Sequence, residues 1–177
     1  MIYTQAEKLQ ILLLCDIYET LGINKDYNTE FIKKAISTDN ILAIGLEYPI
    51  LSNGSELPAH VQLFTETVEM YITLRNAYSQ MSFSDKMLVS NSIDYFDHAT
   101  VLYFPGFDGN NEAEYISVGE IYTFMEYWPG AILTKNSHTQ KAQKYRDMLA
   151  IYNPAIRKTM LNGELISVTD FINVMSV

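Results

Sequence analysis

Three observations in this sequence predict an all-α, multihelical fold. Paired capping residues stand at several helix starts, and apolar residues recur behind them at threes and fours. The one segment of β-type composition, Thr100-Val101-Leu102-Tyr103-Phe104, is too short to build a sheet alone and reads as extended chain laid over helices. The expected organisation is a small N-terminal helical subdomain, residues 1–57, followed by a larger helical bundle, residues 58–177, within one domain.

The first helix opens on Thr4 with Glu7, a pair in which each side chain satisfies a backbone donor of the first turn. Leu9, Ile11, Leu12, Leu14, Cys15, Ile17, Tyr18 and Leu21 follow on more than one face, so neighbours must cover it, and Gly22 ends the run. Asn28 or Thr29 caps a second helix carrying Phe31, Ile32, Ala35 and Ile36. Asp39 is expected to cap a third, Ile41 to Leu46, which Pro49 stops. Pro49 through Pro58 reads as a loop between subdomains.

Pro58 suits the first turn of a long helix reaching about Met81, with Val61, Phe64, Val68, Tyr71, Tyr78 and Met81 along one stripe. Arg75 lies at the edge of that stripe, its stem on apolar surface and its head in water. Ser82 with Asp85 starts another helix. Asn111 with Glu114 is expected to cap the most apolar helix, Tyr115 to Trp128, ended by Pro129-Gly130; Gly119 in its middle implies close approach of another backbone. Ser137 or Thr139 should begin a basic helix. Asn153-Pro154 should restart the chain as a short helix ending near Asn162-Gly163, and Ser167 with Asp170 should cap the last one.

Composition excludes several classes. At 48% hydrophobic and 19% charged residues, the chain is globular and not disordered. No apolar run reaches the ~18 residues of a membrane span, and the opening residues do not fit a secretory leader. The single cysteine, Cys15, has no basic neighbour in sequence and reads as a buried inert thiol, which suits the cytoplasm. A net charge of −9 opposes nucleic-acid binding, where Lys and Arg supply the affinity.

The charge is unevenly spread. Met87 to Thr134 holds no Lys or Arg but seven acids, whereas Lys135 to Lys158 holds six bases against Asp147 alone. The two stretches are expected to pair. The alternative is a basic face built on Lys141, Lys144 and Arg146 for an anionic partner.

Phe104-x-Gly106-Phe107-Asp108 followed by Glu112-Ala113-x-Tyr115 resembles the central signature of the YfbU-like bacterial proteins. Thr4-x-Ala6-x-x-Leu9, Glu69-Met70-Tyr71 and Lys144-Tyr145-Arg146-x-Met148-Leu149 agree in order. The resemblance implies a helical fold and no reaction.

Asp108-Gly109-Asn110-Asn111-Glu112 begins like a calcium loop, but Ala113 and Gly119 stand where an EF-hand needs Gly and Glu, so it reads as a turn. His60, His98 and His138 have no metal spacing. No phosphate loop, nucleophile elbow or Cys-x-x-Cys is present, and no cofactor is implied. Tyr115 and Tyr122, seven apart on one helix face, belong either to the core or to an interface. The resulting expectation is a noncatalytic binding module acting through protein–protein contact, as a homodimer. The alternative is a metal-assisted hydrolase, with RNA as a candidate substrate and Asp108, Glu112 and His98 or His138 as its site.

Overall fold

The computed structural model describes residues 3–23, 26–49, 57–162 and 165–177. Most of the expected inter-subdomain loop, and Gly163, lie outside the described residues. Among those described there are nine helices and no strand; one isolated parallel bridge joins Phe107 to Asn136. The chain divides into two compact units, Met1–Glu56 and Leu57–Val177.

The first unit holds α1 (Gln5–Thr20), α2 (Thr29–Ser37) and α3 (Ile41–Glu47). Thr4 and Glu7 form the expected reciprocal box: Thr4 N–H donates to Glu7 Oε2 at 2.7 Å, and Glu7 N–H to Thr4 Oγ1 at 3.2 Å. Asn28 caps α2 through Phe31 N–H at 3.0 Å. Lys33 ties α2 to α1 by reaching both Asp16 and Glu19 at 2.6 Å. Asp39 does not cap α3. It takes a left-handed backbone, φ 58°, and its carboxylate pairs with Lys8, so α3 starts after Asn40 without a side-chain cap. Cys15 is buried, and burial pushes its thiol pKa up, consistent with an inert role.

The second unit is built on α4 (Ala59–Gln80), a 22-residue helix against which α7 (Ala113–Phe124) and α8 (Ala142–Asn162) pack. Alongside lie α5 (Phe83–Ser92), α6 (His98–Val101) and α9 (Val168–Met175), which packs on α5 and α8. Ser82 and Ser167 cap α5 and α9 through Asp85 and Asp170 N–H, as their sequences predict. The core between α4, α7 and α8 is aromatic. Phe64 stacks on Phe107 at 5.8 Å and on Tyr122 at 6.0 Å, while Phe107 stacks on Tyr115 at 4.1 Å and meets the Tyr145 ring edge-on at 5.0 Å.

Several expected boundaries move, each for a local reason. The β-type segment begins as α6, because Asp97 accepts Ala99 N–H and the Thr100 hydroxyl, both at 3.0 Å. The helix read through Trp128 stops at Phe124; Glu126 turns left-handed at φ 52°, and Trp128 folds back to 4.8 Å from the Tyr122 ring. Asn153-Pro154 starts no new helix, since α8 runs through Pro154. Pro154 and Ala150, four residues earlier, are both exposed, so water can satisfy the carbonyl that loses its intrahelical donor, while Tyr152 and Ala155 stay buried. Gly119 behaves as its sequence position implies: a Cβ there would sit 2.4 Å from the Leu133 carbonyl oxygen.

Candidate functional site

The signature segment, residues 104–112, connects α6 to α7 and lies against residues 133–142. Gly106 adopts φ 87°, and a Cβ on it would fall 1.7 Å from the Lys135 carbonyl oxygen, so only glycine fits this crossing. The buried Tyr145 hydroxyl donates to the Gly106 carbonyl at 2.7 Å. Phe107 carbonyl accepts Ser137 N–H at 2.9 Å, and Asn136 Oδ1 accepts both Gly109 N–H at 3.1 Å and His138 N–H at 2.8 Å. Two irregular segments thereby satisfy one another's backbone groups where water cannot reach all of them.

Asp108 and Glu112 are both buried, 4% and 6% exposed, and both carboxylates are occupied within the protein. Asp108 Oδ2 accepts the Asn111 amide at 2.5 Å, and Oδ1 accepts Asn110 N–H at 3.0 Å, which makes a tight side-chain-to-backbone turn. These donors hold the Asp108 carboxyl below its ordinary pKa against the opposing effect of burial, and the nearby His138 adds to the shift. Glu112 reaches further. Oε2 accepts Asp108 N–H at 3.0 Å, Oε1 accepts Ala142 N–H at 2.8 Å, and Lys141 N–H is shared between both oxygens at 3.0 Å.

Ala142 is the first residue of the 21-residue α8 and Lys141 stands just before it, so Glu112 caps that helix from 29 and 30 residues away. A carboxylate there satisfies two orphan amides and faces the positive end of the helix dipole. Two expected caps are therefore corrected. Ser137 and Thr139 do not cap α8; the Ser137 hydroxyl donates to the Thr139 carbonyl at 2.7 Å within their own loop. Asn111 does not cap α7, because its amide is held by Asp108 and the helix starts after Glu112 with no side-chain cap.

The other candidate residues separate. His98 heads α6 and stacks on Tyr78 at 5.6 Å, so of the two histidines proposed for a site only His138 stands near Asp108. Among the described residues no group of three or more His, Cys, Asp and Glu is arranged to hold a metal. Tyr115 and Tyr122 are buried in the aromatic cluster, 4% and 3% exposed. Tyr122 also hydrogen-bonds Thr65 at 2.7 Å.

The expected pairing of the basic and acidic stretches is absent among the described residues, whose ion pairs all lie in the first unit. Lys141 meets the acidic stretch through its backbone, Lys144 Nζ donates to the Val177 carbonyl at 2.9 Å, and Arg146 lies 3.5 Å from the Tyr115 hydroxyl. The carboxylate that joins the two stretches is used on helix amides instead of lysine side chains.

The YfbU domain model matches residues 3–171, which is nearly the whole chain and includes the Gly106 crossing, Glu112 and the helix it caps. The chain belongs to the YfbU family. No curated protein and no solved structure matches it. In this YfbU chain the signature segment is first a structural joint: Gly106 allows the crossing, Phe107 fills the core and Glu112 starts a distant helix. The sequence marked the segment but not this use of Glu112, because its partners are backbone amides, which have no residue identity.

Two outcomes follow from this geometry. Replacing Glu112 with Gln keeps the size but withdraws the charge and turns one acceptor into a donor facing N–H groups. Urea denaturation should show a loss of about 2–4 kcal/mol, and a loss below ~1 kcal/mol would contradict the capping role. Asp108 has a folded pKa below its unfolded value of about 3.9, so its contribution is fully present above that pH and is lost as pH falls through the lowered value. The stability gap between wild type and Asp108→Asn should therefore hold steady from about pH 7 to 5 and shrink below about pH 4. A gap independent of pH would contradict that linkage.

Proposed function

We propose that this YfbU chain is a noncatalytic binding module that acts through protein–protein contact, with a second copy of itself as the first partner. The observation that carries the reading is the outer face of α1. Leu9, Leu13, Ile17 and Leu21, at successive steps of four, are 58%, 52%, 54% and 67% exposed, and Leu14 beside them is 63% exposed. Five large aliphatic side chains in one stripe are more than the scattered apolar residues an ordinary surface carries.

The extent of the stripe favours a second copy as occupant. At roughly 100 Å² of apolar surface apiece, two such stripes closing on each other bury about 1,000 Å², the lower bound for a specific interface. A two-fold axis across antiparallel α1 helices would make the stripe its own partner. The buried, unreactive Cys15 and the absence, among the described residues, of a helix long and apolar enough to cross a membrane fit a cytoplasmic setting.

What favours this reading over a metal-assisted hydrolase is the state of the two carboxylates. Asp108 and Glu112 accept five donors of the protein itself, four of them backbone amides, and that leaves little for water activation or a cation. Light scattering after size exclusion at micromolar concentration tests the dimer. Wild type should show a mass near twice 20.2 kDa, and Leu13→Lys with Ile17→Lys should halve it without changing the helical signal. A monomeric wild type would contradict the self-association.

A further inference from the structure

Through Val68, Tyr71, Ile72 and Arg75, spaced for one helix face, α4 presents a wall to a cleft in the second unit. The facing walls are α6 with the residues that follow it, and the loop after α7. The cavity measures about 330 Å³, at the small end of the range for ligand sites (~300–1,000 Å³). Ile72, Leu102, Phe104 and Ile132 give it an apolar interior and mouth, with Ile132 at the rim 72% exposed.

Its charged groups are of one sign. Arg75 and Lys135 line the cavity and no Asp or Glu does, in a chain whose net charge is −9. Among the described residues neither cation makes an ion pair or a side-chain hydrogen bond. The Arg75 guanidinium lies 5.0 Å over the Tyr103 ring, a stack that orients the plane and leaves its edge N–H groups free. Tyr71 also lines the cavity; it is only 4% exposed, and its hydroxyl has no hydrogen bond among the described residues. Donors without acceptors, set around an apolar pocket, define the missing complement: an acceptor-only anionic head on an apolar body.

We propose that this cleft binds a small organic carboxylate with an alkyl or aryl body, the carboxylate held by Arg75 and Lys135 and the body seated on Ile72, Leu102 and Phe104. The proposal depends neither on self-association through α1 nor on the cap that Glu112 supplies. A free phosphate would satisfy the cations but leave the apolar walls wet. A neutral alcohol would fill the walls but leave the cations unpaired.

The test is a titration of ¹⁵N-labelled full chain with octanoate, benzoate and indole-3-acetate, against octan-1-ol and inorganic phosphate as controls. At least one carboxylate should shift amides of residues 68–75, 99–104 and 130–135 in a saturable way, and both controls should bind about tenfold more weakly or worse. Arg75→Gln and Lys135→Gln should each weaken that carboxylate, and the double variant should weaken it by about tenfold or more while the rest of the spectrum keeps wild-type positions. Binding as tight for octan-1-ol as for the carboxylates, shifts confined to other residues, undiminished affinity in the double variant, or no saturable shift with any of the three carboxylates would each overturn the proposal.

Discussion

A carboxylate removed from water must find donors nearby, and Glu112 finds its donors at the start of a helix that lies far along the chain. Its two oxygens take the amides of Asp108, Lys141 and Ala142, so a single side chain closes the signature turn and begins α8. Other features of the second unit depend on that closure. With α8 begun at this point, Tyr145 stands where its hydroxyl reaches the Gly106 carbonyl and its ring packs edge-on against Phe107. Phe107 in turn stacks between Phe64 of α4 and Tyr115 of α7. The polar joint and the aromatic core are adjacent layers of one arrangement, and loosening the first exposes the second.

The sequence reveals what is local. Thr4 with Glu7, Ser82 with Asp85 and Ser167 with Asp170 announce helix starts because cap and amide lie three residues apart, and all three pairs are made. Gly119 announces a close approach because glycine in mid-helix is otherwise unfavourable, and the Leu133 carbonyl is there. Long-range replacement of a local signal is what misleads. Asn111 with Glu114 looks like a cap but Asp108 holds the Asn111 amide, and the start of α8 has no cap in its own sequence because Glu112 supplies one. Pro154 looks like a break, yet the buried faces on either side of it keep α8 continuous.

The functional surfaces were less legible for a related reason. A pattern of apolar residues on α1 says that the helix has more than one apolar face, but not which face a neighbour leaves bare. The structure assigns Cys15 to the interior and Leu9, Leu13, Ile17 and Leu21 to the surface. Arg75 reads from sequence as a solvated head on an apolar stem; only the folded chain brings Tyr103 beneath it and Lys135 to the same cavity. The acidic and basic stretches suggest side-chain pairing, whereas a helix terminus binds a carboxylate through amides that carry no charge in a sequence count.

The dependence of the second unit on the Glu112 cap is tested most directly by native-state hydrogen exchange at the start of α8. First-turn amides of a helix ordinarily exchange through local fraying, at opening free energies far below the global value. If Glu112 holds this terminus as described, the amides of Lys141 and Ala142 exchange only with global unfolding, at the same opening free energy as the amide of Val68 in the centre of α4. Fast exchange of Lys141 and Ala142 while Val68 stays protected would contradict the account, because the joint would then open without the core.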